Sequence, residues 1–264
     1  MTKTYQIFTN TDCNLRCKYC YEHNKEFKLN NLDSIKIYID NIIPEIILKN
    51  DETDSIIFEL IGGEPFLHAK FLEDICDYIF EKFIFYKIKN PPIISISTNG
   101  TILTEEVKQF LYKYGRYLTL SISIDGTKEC HNLNRVDIHG NGSYDKIIEN
   151  LEFFKKHICK HMLNAKATFN HDTIKYYGES IINLIKLGFV EIIANTVYEE
   201  YWKEEDQDMI FFQLRDVADY LIDNDLEDKV IVHQVNRNGS DYKSLSIGLS
   251  RNNNYCGSCE YMHC

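Results

Sequence analysis

The chain has 264 residues, of which 44% are hydrophobic and 26% charged, a composition typical of a soluble globular protein with a substantial core. Its formal net charge of −11 disfavours nucleic acid as the main partner, because phosphate binding requires an excess of Lys and Arg. No stretch approaches the length that spans a bilayer, and the N-terminus lacks the apolar core of a secretory signal. We therefore expect a cytoplasmic protein without a membrane anchor, whose thiols stay reduced.

The first predicted strand, Tyr5–Phe8, is followed by three closely spaced cysteines, Cys13, Cys17 and Cys20. Three thiols are one fewer than a purely structural metal site normally uses, whereas a reactive site keeps one coordination position open. The spacing therefore favours a four-iron, four-sulfur cluster with one iron left for another ligand. A closed Cys3His zinc site that includes His23 is the alternative, and a disulfide is disfavoured because the nine cysteines are an odd number.

Strand and helix patterns alternate along the rest of the chain. The predicted strands are Tyr5–Phe8, Ser55–Ile61, Ile93–Thr98, Leu118–Ile124, Ala165–Phe169 and Val190–Val197. The predicted helices are Ile35–Ile46, Phe71–Tyr86, Thr104–Tyr114, Tyr144–His157, Ile174–Leu187 and Met209–Leu221. Asp33 is the expected cap of the first helix, which Pro44 is expected to kink or divide. Six such units predict an α/β fold, a partial (β/α)6 TIM-like barrel with parallel strands.

Ligands of parallel α/β folds bind at the carboxyl ends of the strands, so the residues that follow each strand matter most. The segments there are Gly62-Gly63-Glu64-Pro65, Ser97-Thr98-Asn99-Gly100 and Ser123-Ile124-Asp125-Gly126. We expect them to face one pocket together with the cysteine loop. Each segment taken alone is also ordinary turn chemistry.

The cysteine spacing C-x3-C-x2-C, with Tyr19 just before the last cysteine and GGEP one unit later, resembles the radical S-adenosylmethionine (radical SAM) enzymes. The resemblance implies that Cys13, Cys17 and Cys20 hold a 4Fe-4S cluster whose open iron is chelated by the amino and carboxylate groups of SAM. It also implies a set of SAM contacts, namely Tyr19, Gly62, Gly63, Glu64, Ser97 and Asn99.

The segment from Asp125 to Arg135 resembles the D-G-x4-H-x3-R signature of the radical SAM subgroup that modifies peptides and proteins. That subgroup includes anaerobic sulfatase-maturating enzymes and maturases of ribosomally made peptides. By this resemblance Ser123 and Arg135 contact SAM, and a guanidinium fork does suit the methionine carboxylate. A surface ion pair between Asp125 and Arg135 is the plainer interpretation. Gly140–Tyr144 is expected to form a loop and a helix cap.

A second cysteine group closes the sequence and contains Cys256, Cys259 and Cys264. We expect residues 1–223 to form the radical SAM core and residues 224–264 a short C-terminal extension. The group resembles the beginning of a SPASM or twitch extension, which implies an auxiliary iron–sulfur cluster, although the sequence ends before the further cysteines that such an extension needs. A zinc site that adds His263 to the three cysteines is the alternative.

The resemblance implies an enzyme whose reduced cluster cleaves SAM to a 5′-deoxyadenosyl radical, which abstracts hydrogen from a peptide or protein. The electron would come from an external donor of the flavodoxin or ferredoxin type. A thioether or carbon–carbon cross-link in a ribosomally made peptide is the favoured product. Formylglycine formation in a sulfatase and action on a small molecule are the alternatives within the family, and a zinc-binding interaction module is the alternative from another class. The sequence identifies no catalytic acid or base.

Overall fold

The computed structural model describes residues 2–22, 25–48 and 55–236, over which strands and helices alternate. The strands are β1 (Thr2–Phe8), β2 (Ser55–Ile61), β3 (Ile93–Thr98), β4 (Leu118–Ser123), β5 (Leu163–Phe169), β6 (Glu191–Thr196) and β7 (Ile231–Val232). The helices are α1 (Leu32–Leu48), α2 (Ala69–Phe85), α3 (Glu105–Tyr114), α4 (Lys128–Asn134), α5 (Tyr144–His157), α6 (Tyr177–Lys186) and α7 (Glu204–Asp223). The described strands belong to one sheet in chain order, β1 to β7.

The chain divides into two compact units, of which the first comprises Met1–Ile124 and His131–Ala165. Within it β1, β2, β3 and β4 are parallel neighbours. The alternating side chains on one face of these strands are apolar and at most 3% exposed, and they form the core: Ile7, Phe58, Leu60, Ile94, Ile96, Leu120 and Ile122.

The opposite face of β1–β4 is mostly polar. The register sets Gln6 beside Glu59, Glu59 beside Ser95, and Ser95 beside Thr119. Gln6 Nε2 donates a hydrogen bond of 2.8 Å to Glu59 Oε2. Parallel sheets are usually apolar on both faces, because helices cover both. This polar face therefore serves a purpose other than core packing, and it leads up to the carboxyl ends of the strands.

The second unit comprises Asp125–Cys130 and Lys166–Cys264, described as far as residue 236. In it β6 runs parallel to β7, with Glu191 opposite Ile231. Helices α6 and α7 pack together at Gly178, whose N–H donates to Gln213 Oε1 at 2.9 Å.

Most predicted elements are confirmed, and the differences have local causes. The predicted cap of α1, Asp33, is wrong, because Asn31 Oδ1 accepts the Ser34 N–H at 2.9 Å. Pro44 lies inside α1, which continues as one helix, so the expected division is also wrong. Helix α7 begins before Met209 because Asp206 accepts the Lys203 N–H and closes its first turn.

A further difference concerns the number of elements. A short seventh strand, β7, joins the sheet beyond the six predicted strands. The predicted boundary between residues 223 and 224 stays a prediction. In the part of the chain that the structure describes, no helix combines the length and the hydrophobicity needed to cross a bilayer.

Candidate active site

The three clustered cysteines lie on the loop after β1, and this segment, residues 9–21, is called the cysteine loop below. Cys13, Cys17 and Cys20 are not disulfide-bonded and have intermediate exposure. The Leu15 N–H donates to Cys13 Sγ at 3.4 Å, and the Cys20 N–H donates to the Cys17 carbonyl at 3.2 Å. Burial raises the pKa of the Cys13 thiol, against the lowering effect of the Leu15 N–H.

The GGEP turn after β2 supports the first part of the cysteine loop through its main chain. The Gly63 N–H donates to the Asn10 carbonyl at 2.8 Å, and the Glu64 N–H donates to the Asp12 carbonyl at 2.9 Å. A Cβ on Gly63 would lie 2.2 Å from the Asp12 carbonyl oxygen, and a Cβ on Gly62 would lie 2.6 Å from Asn10 Oδ1. Glycine is therefore required here by the cysteine loop itself, in addition to any ligand.

Two side chains of the loop, which the sequence analysis did not single out, fix this contact. Asn10 is fully buried, and its Nδ2 donates to the carbonyls of Asp12 at 3.0 Å and Glu64 at 3.2 Å. The Asp12 carboxylate lies 2.9 Å from His68 Nε2. The signal in the sequence was the polar run that separates the end of β1 from Cys13, because such residues bond to nearby backbone.

The Glu64 carboxylate points into the protein and joins the GGEP turn to the end of β3. It is fully buried and accepts hydrogen bonds from the Phe66 N–H at 3.1 Å, the Thr98 hydroxyl at 2.7 Å and the Asn99 N–H at 2.7 Å. Burial raises the pKa of Glu64 to about 6, although the three donors act in the opposite direction. The buried side chain of Glu64 thus links the GGEP turn to the end of β3.

Asn99, at the end of β3, supports the cysteine loop from a second side. Its Nδ2 donates to Asn14 Oδ1 at 2.8 Å and lies 3.8 Å from Cys13 Sγ. Its Oδ1 accepts from the N–H and the hydroxyl of Thr101, at 2.9 and 2.6 Å. The side chain predicted to line the cofactor site therefore contacts the loop that carries the first cysteine.

The end of α4 and the residues that follow it support the cysteine loop from a third side. The Arg16 and Lys18 amides donate to the Val136 and Asn134 carbonyls at 2.6 and 3.0 Å, in an antiparallel pairing. Arg135 lies between these two residues in the sequence. Its guanidinium lies over the ring of Tyr19, 5.3 Å from the ring centroid.

The remaining predicted residues divide into three groups. Ser97 and Ser123 lie at the carboxyl ends of β3 and β4, on the polar face, with intermediate exposure. Asp125 is fully buried and accepts the Thr168 N–H at 2.9 Å, and Arg135 is only 8% exposed, so the surface location that the ion-pair alternative gave these two residues is wrong. The third group lies outside the described residues: His23, Cys256, Cys259, His263 and Cys264.

The donor set of the cysteine loop suits an iron–sulfur cluster. Within residues 2–22, 25–48 and 55–236, no group of three or more His, Cys, Asp or Glu side chains is arranged to hold a metal ion. The ligands of a single ion converge on one point, whereas the thiolates of a cluster bind separate irons. Three partly exposed thiols that are not disulfide-bonded, on a loop held from three sides, fit such a cluster.

The fold and the site together define an α/β protein with three clustered cysteines on the loop after its first strand. A family model described as the radical SAM superfamily matches residues 7–187. The chain therefore belongs to the radical SAM superfamily, whose members use a 4Fe-4S cluster and SAM.

Relatives with known activities support the same assignment. A cysteine-type anaerobic sulfatase-maturating enzyme of Clostridium perfringens is 30% identical over 200 residues, which cover 72% of this chain and 51% of that protein. The radical SAM cyclopropyl synthase TigE of Paramaledivibacter caminithermalis is 25% identical over 244 residues, 84% of this chain and 47% of that protein. The chain thus spans about half the length of these relatives.

A solved structure confirms the predicted fold. The structure titled "Native anSMEcpe with bound AdoMet and Cp18Cys peptide" superposes with a TM-score of 0.69 at 22% sequence identity. The match covers 89% of this chain and 64% of that one. The expected α/β fold of the radical SAM type is therefore confirmed.

Proposed function

We propose that the chain is the SAM-cleaving part of a radical SAM enzyme that abstracts hydrogen from a peptide or protein substrate. The observation that carries the proposal is the position of the cysteine loop, which main-chain and side-chain groups of the GGEP turn, Asn99 and the Arg135 segment hold from three sides. The relatives named above support the substrate class.

The residues of the chain have distinct proposed tasks. Cys13, Cys17 and Cys20 would hold the cluster. When bound, the reduced cluster and SAM supply a 5′-deoxyadenosyl radical as hydrogen abstractor. The Arg135 guanidinium offers a planar set of donors suited to the methionine carboxylate. Burial of its stem and contact with Tyr19 restrict its orientation, which lowers the entropic cost of binding.

Other groups complete the proposed cofactor site and its surroundings. The hydroxyls of Ser97 and Ser123 would contact SAM from the ends of β3 and β4, and the main chain of Gly62 to Glu64 would contact its amino group. The polar face below them offers donors and acceptors for a substrate, including the paired side chains of Gln6 and Glu59. Partial exclusion of water there would protect a reactive radical.

A thioether or carbon–carbon cross-link in a ribosomally made peptide is the product that we favour. Formylglycine formation is the second candidate, favoured by the 30% identical sulfatase-maturating relative. We further propose an electron donor of the flavodoxin or ferredoxin type, a cytoplasmic location, and an auxiliary cluster held by Cys256, Cys259 and Cys264 in a C-terminal extension from residue 224. Action on a small molecule is the remaining alternative in the family.

The first experiment measures SAM cleavage. Anaerobically reconstituted protein is incubated with dithionite and SAM, and 5′-deoxyadenosine is followed by mass spectrometry. The wild type should form it, and a variant with Cys13, Cys17 and Cys20 all changed to Ala should not. Cys159→Ala is the matched control, because this thiol is free and exposed, and it should behave like the wild type. A properly iron-loaded wild type that forms none, with or without candidate peptides, would contradict the proposal.

A second measurement separates the candidate products. A Cys-containing peptide that is cross-linked loses two hydrogens and keeps its sulfur, whereas conversion of Cys to formylglycine removes the sulfur and introduces an oxygen from water. High-resolution mass spectrometry of peptides incubated with SAM and reductant distinguishes these outcomes. An unmodified peptide, together with a modified small molecule, would favour the remaining alternative.

A further inference from the structure

The hydroxyl of Ser143 makes hydrogen bonds that are unusual for a residue at the start of a helix. Ser143 is the N-cap of α5, where a serine side chain normally accepts a backbone N–H of the first turn, but it makes no such bond. Instead Ser143 Oγ donates to the Arg135 carbonyl at 2.9 Å and lies 2.9 Å from His131 Nε2. The Ser143 hydroxyl therefore bonds to the main chain of the residue that is proposed to bind SAM, and not to its own helix.

The direction of these hydrogen bonds fixes the state of His131. The Ser143 hydroxyl has one proton, which it donates to Arg135, so it must accept a proton from His131 Nε2. His131 is fully buried, and burial together with the nearby Arg135 charge keeps its pKa well below 6.5. His131 is therefore a neutral imidazole with its proton on Nε2, and it orients the hydroxyl.

The Arg135 segment is held by two sets of contacts. The carbonyls of Asn134 and Val136 accept two amides of the cysteine loop, as described above, whereas the Arg135 carbonyl accepts both the N–H and the hydroxyl of Ser143, at 3.2 and 2.9 Å. Displacement on the Ser143 side would therefore move the Arg135 side chain and the cysteine loop together.

We propose that His131 and Ser143 are positioning residues that set the Arg135 main chain, and through it both the guanidinium over Tyr19 and the shape of the loop around Cys17. The effect on SAM rests on the proposed function, whereas the effect on the loop does not. The two residues thus couple the SAM-binding group to the cluster ligands.

The first test uses cluster-free protein and does not depend on activity. Amide hydrogen exchange of Arg16 and Lys18 should accelerate in Ser143→Ala and in His131→Leu by on the order of tenfold, the effect of losing one buried hydrogen bond. Ser143→Thr keeps the hydroxyl and His131→Gln keeps an N–H donor, so both should exchange more slowly than their disruptive counterparts. The control is Tyr177→Phe, which removes a buried hydrogen bond of 2.8 Å to the Ala194 carbonyl in the second unit.

The second test measures SAM binding to anaerobically reconstituted protein of matched iron content. Ser143→Ala should raise the Kd for SAM by on the order of tenfold and change the electron paramagnetic resonance spectrum of the reduced cluster with SAM. Ser143→Thr should restore both readouts, and Tyr177→Phe should alter neither. If His131→Leu fails to fold, Ser143→Ala still carries the test.

The possible outcomes separate the inference from the proposed function. Unchanged amide exchange in Ser143→Ala, or an equal acceleration in Tyr177→Phe, overturns the positioning role even if the wild type cleaves SAM. An unchanged SAM affinity in Ser143→Ala overturns the coupling to Arg135. A wild type that cleaves no SAM contradicts the proposed function, while the exchange experiment still decides whether Ser143 shapes the cysteine loop.

Discussion

Replacing Glu64 with Gln tests the effect of a buried carboxylate at the centre of the site. Burial raises the pKa of Glu64 from 4.5 to about 6, which corresponds to about 2 kcal/mol of folding free energy. Because the folded-state pKa is the higher one, this contribution is fully present below pH 4.5 and is lost as the pH rises through about 6. Wild-type protein should therefore lose about 2 kcal/mol of stability over this window through Glu64 alone.

The Gln variant lacks this titration. A carboxamide and a protonated carboxyl group have similar shapes and one carbonyl acceptor each, so the two proteins should differ by no more than about 1 kcal/mol near pH 4. Near pH 7.5 the variant should be more stable than the wild type by about 2 kcal/mol, since only the wild type then buries a charge. A more stable variant would show that the ionised Glu64 lowers the stability of the fold, and that its role is in the site.

Urea unfolding of cluster-free, reduced protein, followed by circular dichroism at the two pH values, measures these differences. Glu106→Gln is the control, because Glu106 is exposed in the first turn of α3, and its unfolding free energy should follow that of the wild type. The same pH dependence of stability in the wild type and in Glu64→Gln would refute the argument that burial raises the pKa of Glu64.

Three further substitutions test two other supports of the site and the cap of α3. Gly63→Ala should displace the cysteine loop, because the new Cβ would lie 2.2 Å from the Asp12 carbonyl oxygen, and iron content after reconstitution should fall; wild-type iron content would contradict this. Asn99→Ala removes the bond to Asn14 and should lower the unfolding free energy in urea by about 1–3 kcal/mol; an unchanged midpoint would show that Asn99 does not hold the loop. Thr104→Ala removes the cap of α3 and should cost about 1 kcal/mol without affecting SAM cleavage, and reduced cleavage would count against a purely local role.

The local patterns of the sequence were sufficient to predict the carboxyl ends of strands β1–β6 to within one residue, and the motifs that follow them. Thr104, the first residue of the predicted helix, is the α3 cap, and β3 has its predicted bounds. Such features depend on residues that are neighbours along the chain. The position of the cysteine loop at one edge of a parallel sheet followed from the same periodicity.

The supports of the loop could not be predicted, because they depend on contacts between distant segments. That Gly63 packs against Asp12, and that Asn99 bonds to Asn14, becomes apparent only once three strands are aligned. Ser143 was correctly placed at a helix start, yet its hydroxyl bonds to Arg135 instead of the helix. Sequence spacing indicates which residues can cap, but it does not show which competing partner a hydroxyl will choose.

The three-sided support of the cysteine loop has a consequence for the order of events when the protein is made. The supports come from the GGEP turn, Asn99 and the Asn134–Val136 segment, so the last of them leaves the ribosome more than one hundred residues after Cys20. Closing contacts over such separations is slow compared with forming local structure. The thiols of the nascent chain are therefore exposed before the contacts that support the cysteine loop have formed. The cluster can be inserted only after the first unit has folded.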